Sequence, residues 1–412
     1  MNSKLTQIST YAGIFLFLLG ISYYGFGQFF PTTSQGTNPN GTPAVTLAPQ
    51  KTGSINVSGP KIEVCPINGD LFTSEEKDIW STRRPMAVMI ENHLDSRPQS
   101  GLQNADIVYE AVAEGGITRF MGIFYCNAAK GSQSKYDVGP VRSARTYFLD
   151  LASEYADYPL YAHVGGANCS AATPGGPCTT AKKAQAIEQI SQYGWNNAGT
   201  WSDLSQFSLS YKACRREPER TGEVRATEHS VYCSTTEMYN VAANRGLTNL
   251  TTVNKTSWDK NYRPWSFKQK DSPVSTDVVA NISFDFWAGY KDYSVSWKYD
   301  SSTNRYIRSN DGQVQIDFNT QEPLYTKNLV VQYTKETRAV DVHGHLLYDL
   351  IGSGTGILYQ NGGRQEITWS KANRISRTIY KDKSGAEVNF VPGMVWVEIL
   401  PIGNKINYEG QS

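Results

Sequence analysis

The densest run of chemically capable side chains is Gly139-Pro140-Val141-Arg142-Ser143-Ala144-Arg145-Thr146-Tyr147-Phe148. Arg142 and Arg145 stand three apart, so a helix starting here carries both on one face, with Ser143 placed to cap or donate. A helix start offers free N–H groups and partial positive charge, and the guanidinium fork matches carboxylate or phosphate. Arg97 and Arg119 come from two neighbouring dense stretches, 92–101 and 110–120. Convergence of these arginines predicts a cleft for an anionic group, such as a phosphate or uronate of an envelope polymer. Glu91, Asp106, Glu110, Glu114 and Asp150 crowd the same stretches. An internal arginine–carboxylate network is therefore the competing reading, and the two are compatible.

The acids also allow catalysis. Glu91 at a strand end, with Glu110 or Glu114, has the makings of a general acid/base pair for glycoside hydrolysis. His163 precedes Gly165-Gly166, and His229 lies in a polar loop. With Ser143 and an acid they would make a nucleophile–base set, although no Gly-x-Ser-x-Gly elbow surrounds Ser143. The catalytic candidates are Glu91, Glu114 and His163. The ligand-binding candidates are Arg97, Arg119, Arg142, Ser143, Arg145 and His229. His343 and His345 share a face if extended, but no third ligand at a suitable spacing joins them, so no metal centre is expected. Gly352-Ser353-Gly354 reads as a flexible loop, and no cofactor motif stands out. Tyr293, Val295, Trp297 and Tyr299 alternate onto one face, which suits a sugar platform or a sheet core.

Those side chains need elements to hold them. Apolar runs at 85–92, 106–112 and 119–125 read as strands, with a short strand at 160–164. Helical spacing marks 144–155, 181–193 and 235–245. Beyond residue 264 the signals are mostly β, at 293–299, 305–308, 329–333, 356–360, 366–369 and 395–399. The expected class is α+β: a mixed α/β domain with a charged cleft over 61–263, then a β-rich domain over 264–412.

Residues 11–30 form a run of 20 without a charge, the length needed to cross a hydrocarbon core of ~30 Å. Lys4 precedes it and no charge follows until Lys51. This predicts a cytoplasmic tip over 1–10, one uncleaved transmembrane signal anchor over 11–30, and the rest outside the cell. The Thr/Gly/Pro/Ser-rich stretch 31–60 reads as a disordered tether. With 39 basic and 38 acidic residues, the chain lacks the excess that a general nucleic-acid binder uses to displace counterions. Its six cysteines include no Cys-x-x-Cys pair and allow 15 pairings. Neighbour pairing joins Cys65 to Cys126, Cys169 to Cys178 and Cys214 to Cys233, with free buried thiols as the alternative.

Several long motifs, in order, resemble the YerB-like bacterial lipoproteins. They are Cys65-Pro66-Ile67-Asn68-Gly69, the run from Arg83 to Asn92, Arg97 to Leu102, Ala105 to Glu110, Glu114 to Phe120, and Gly139 to Arg145. The resemblance covers nearly all of 65–412. It implies an N-terminal and a C-terminal domain tethered outside a bacterial membrane, and it brings no established activity. The chain departs from the pattern in lacking a lipobox cysteine, and in reading Glu228-His229-Ser230 where relatives read Pro-His-Asn. The partners expected are thus the membrane, an anionic wall polymer or an envelope protein. A wall hydrolase and a protein-docking scaffold are the alternatives.

Overall fold

Three apolar runs form the centre of the fold. Met86–Glu91 (β1), Ile107–Glu114 (β2) and Ile117–Phe124 (β3) are buried along nearly their whole length. Strands covered on both faces read as continuous apolar stretches rather than alternating ones. Gly115-Gly116 turns β2 into β3, both at positive φ, as a two-residue hairpin turn requires. Leu160–His163 (β4) runs parallel beside β1, and Asp203–Ser205 (β5) runs parallel beside β4.

The computed structural model describes residues 59–410, apart from 131–134, 172, 252–254 and 270–276. Later strands complete two sheets. Val279–Phe284 (β6), Val295–Asp300 (β7) and Arg305–Asn310 (β8) form the antiparallel centre of a six-stranded sheet. Asn328–Thr334 (β9), Gly352–Gln360 (β10), Gly363–Lys371 (β11), Ile379–Lys381 (β12) and Val395–Pro401 (β13) join the first five strands in a ten-stranded mixed sheet. Its order is β12-β11-β10-β9-β13-β2-β3-β1-β4-β5, and β13 lies parallel to β2. Strands from either side of residue 263 thus share hydrogen bonds in one sheet, within one compact unit.

The expected α+β class is corrected to a mostly β fold. Among the described residues the α-helices are Ser74–Trp80 (α1), Thr146–Ala152 (α2), Ala186–Gln192 (α3) and Thr235–Asn244 (α4), three of them only seven residues long. Helical spacing was present, but the flanking backbone has other partners. Ala144 N–H donates to Gly165 O at 3.0 Å, so the segment before α2 stays extended. Lys182–Ala184 forms a single 3-10 turn before α3. The expected transmembrane helix falls on residues that the structure does not describe. No helix among the described residues is long and apolar enough to cross a membrane. The stretch assigned to it, 11–30, lies outside the described residues, as do the tip and most of the tether.

Tyr293, Val295, Trp297 and Tyr299 are buried and face the core. Gly352-Ser353-Gly354, expected to be a loop, opens strand β10. Gly354 is required there because a Cβ would stand 2.6 Å from the Trp369 indole nitrogen. Disulfides join Cys65 to Cys126, Cys169 to Cys178 and Cys214 to Cys233.

Candidate functional site

Strands β1, β4 and β5 run in one direction, and their carboxyl ends carry Glu91, His163 and Ser205. β2 ends on the same edge at Glu114, and the antiparallel β3 begins there with Thr118 and Arg119. Outside the carboxyl ends of parallel strands is where open sheets receive ligands. The 140–145 segment crosses this edge in extended form. Glu91 N–H donates to Pro140 O at 2.9 Å, Arg142 N–H to Met89 O at 3.0 Å, and Val164 N–H to Arg142 O at 3.1 Å. Arg142 and Ser143 therefore precede the helix, and Arg142 and Arg145 do not share a helix face. Each reaches a different carboxylate.

Arg142 Nε lies 2.9 Å from Glu91 Oε1, and its Nη1 donates to Glu228 O at 3.0 Å. The other Glu91 oxygen bonds His229 Nδ1 at 2.8 Å. His229 stacks on His93, with ring centres 4.6 Å apart and planes within 10°. A second group lies around Glu114. Arg145 Nε bonds Glu114 Oε1, and Arg119 Nη2 lies 3.6 Å from Oε2. Arg119 Nη1 donates to Ser143 O at 2.9 Å, so it is the backbone of Ser143 that this group uses. Burial, and then Arg145, lower Arg119 to about 10. Burial pushes the Glu114 carboxyl up, but the two arginines outweigh it and hold the group below its ordinary value. Arg97 has no carboxylate partner of this kind. It donates to Asn92 Oδ1 and O, both at 3.1 Å, and to Asp292 O at 3.0 Å, and it stacks over Tyr293. Burial lowers it to about 10.

His163 does not open into a cleft beside these acids. It is 1% exposed. Its Nε2 faces Asp203 Oδ1 at 2.8 Å and its Nδ1 faces Gly165 O at 2.6 Å. With both nitrogens engaged it braces the turn that receives Ala144. It has no free atom with which to act as a base for Glu91 or Glu114. His343 and His345 are tied to different partners, Thr179 and Asp341.

A polar layer beneath the edge ties Glu110, one of the acids of the internal network the sequence allowed, to Arg308, which the sequence did not single out. Arg308 and Glu110 are wholly buried and bond through two contacts, 2.7 and 2.9 Å. Thr118 Oγ1 donates to Glu110 at 2.7 Å, and Asn92 Nδ2 donates to Thr118 at 2.8 Å. Gln99 and Gln315 both donate to Asn92 Oδ1. Glu398, across from Glu110 in the β13–β2 pairing, accepts from Trp297 Nε1 at 3.0 Å. The signal for Arg308 was its place two residues from Tyr306, which puts both on the inward face of β8. His93 had no comparable signal, since Asn92, Leu94 and Asp95 around it carry no strand or helix period.

Comparison with known proteins places this arrangement. The profile described as "Protein of unknown function (DUF3048) N-terminal domain" matches residues 72–248, and the corresponding C-terminal domain matches 282–397. "Putative lipoprotein YerB" of Bacillus subtilis (strain 168) is 32% identical over 321 residues, which is 77% of this chain and 82% of that protein. The crystal structure of YerB protein from Bacillus subtilis matches with a TM-score of 0.63 at 28% identity, over 84% of this chain and 100% of that one.

Proposed function

The chain belongs to the DUF3048 family, the YerB-like proteins its motifs resemble, and on that premise we propose that it is an extracytoplasmic binding protein. Its ligand is an anionic envelope polymer, held through carboxylate or phosphate groups at the carboxyl-end edge of the large sheet. One observation carries this reading. Arg119 and Arg145 share the single carboxylate of Glu114. Two cations against one anion, partly removed from water, leave an electrostatic demand that a bound anion satisfies. Arg142 and Arg97 border the same edge and are partly exposed, so they add donors without requiring the fold to open. The three disulfides support a location outside the cytoplasm. The word lipoprotein in the relative's name supports a place at the membrane surface.

The test is binding of the full chain to teichoic acid, muropeptides and polyuronate, by calorimetry and thermal unfolding. A ligand at 100 times its Kd stabilises the fold by about 2.7 kcal/mol. Loss of that gain in the Arg142→Ala/Arg145→Ala double variant, with cooperative unfolding kept, supports the reading. Unchanged binding in the same variant sinks it.

A further inference from the structure

The geometry points to a site for a divalent first-row transition metal, with zinc as the reference ion, built from His93, Asp95 and His229. One ligand atom from each of these residues lies within 4.8 Å of the others. His93 Nδ1 and Asp95 Oδ2 are 3.5 Å apart. Two ligands bonded at about 2.1 Å to a tetrahedral ion are separated by roughly 3.4 Å, so these two atoms stand about that far apart before either side chain turns.

His229 supplies the third ligand in the right chemical form. Its Nδ1 faces Glu91 Oε2 at 2.8 Å. A carboxylate there makes Nδ1 the protonated nitrogen and leaves the lone pair on Nε2. The same arrangement, a ligating histidine oriented by a carboxylate behind it, recurs in metal sites and raises the basicity of the ligand. Arg142 balances the charge of Glu91 from the far side, at 2.9 Å. The two imidazoles lie parallel, so their lone pairs converge on one ion only if His93 swings about its side-chain bonds. Its side chain is 30% exposed and Asp95 is 66% exposed, so both can turn toward the more rigid His229, His93 giving up the hydrogen bond that its Nδ1 accepts from Asp95 N–H at 3.2 Å. Nitrogen and carboxylate donors suit zinc, copper or nickel rather than calcium or magnesium. Three protein ligands leave a fourth position for water or an anionic oxygen.

Equilibrium dialysis of the full, untagged chain against Zn2+ decides the matter, with Co2+ absorption as a report on coordination. One Zn2+ per chain is expected, with visible bands for Co2+ typical of a four-coordinate site. His93→Ala and Asp95→Asn, each first shown to unfold cooperatively, should each weaken binding at least ~10-fold. Glu91→Gln should weaken it by about 10- to 100-fold. No saturable Zn2+ binding, or unaltered affinity in His93→Ala, overturns the site. Arg145→Ala, whose partner is Glu114 rather than Glu91, should still bind Zn2+ while weakening anion binding, so failure of the anion reading and failure of this one are distinguishable.

Discussion

The Arg308–Glu110 pair and the Arg119–Arg145–Glu114 group use the same two side-chain types under opposite conditions. The first has no exposed side-chain surface on either partner. The second keeps 8%, 11% and 28% exposure on its three side chains. Within the first group, from which water is excluded, the charges balance. Burial, and then Glu110, push the Glu398 carboxyl well above its ordinary range, which keeps a proton in the acid pair and leaves one anion for one cation. Where water still reaches, a cation is left over. Burying a charge is costly unless it is paired: the buried Lys371 and Arg377 share Glu154, with Asp150 close to Lys371, whereas around Glu114 partial exposure lowers the cost of the second cation.

Mutation of each arginine tests that contrast most strongly. Arg308→Met strands Glu110 in the core and should cost about 3–5 kcal/mol in urea denaturation. Equal losses from Arg308→Met and Arg145→Ala would erase the distinction.

The acids should separate by pH. Glu398 titrates higher in the folded state than unfolded, so its contribution is complete below the unfolded value near ~4.3. It declines as pH rises toward the folded value, by up to about 1.4 kcal/mol per pH unit. Glu398→Gln should flatten that decline in urea midpoints measured across pH. Glu114 has the opposite sign, because its folded value is lowered. Its contribution is present above the unfolded value and is lost as pH falls through the folded one. Glu114→Gln should therefore weaken the protein at neutral pH and leave it unchanged in acid.

Arg145→Ala should change stability by no more than about 1 kcal/mol, since losing a partly exposed pair is offset by relief of its repulsion with Arg119. The smallest effect is that of salt. Raising ionic strength should weaken anion binding at the edge while leaving the stability difference between the native chain and Arg308→Met almost unaltered, because buried pairs are screened much less.

Much of this molecule could be read from one dimension. The runs that became β1, β2 and β3 were legible because each is continuous, apolar and ended by turn residues. Arg97, Arg119, Arg142 and Arg145 stood out because dense motifs carry them close together in sequence, whereas the structure spreads them over three sets of partners. The helix at 144–155 was overextended for a local reason with a distant cause. Its first residues have helical spacing, but Ala144 finds its hydrogen-bond partner at Gly165. His163 looked like a base before two glycines, and only the position of Asp203 shows both its nitrogens to be engaged.

The sequence by itself determined the central strands, the cysteine complement and the family, because each depends on short-range pattern or on motifs that stand in order along this chain. The tertiary structure alone decided which charges are partners. Arg308 reaches Glu110 across a separation of 198 residues, and His229 reaches Glu91 across 138. Whether an arginine is sealed in the core or keeps some contact with water separates Arg308 from Arg145. That is fixed by the packing of strands distant in sequence, and no local spacing encodes it.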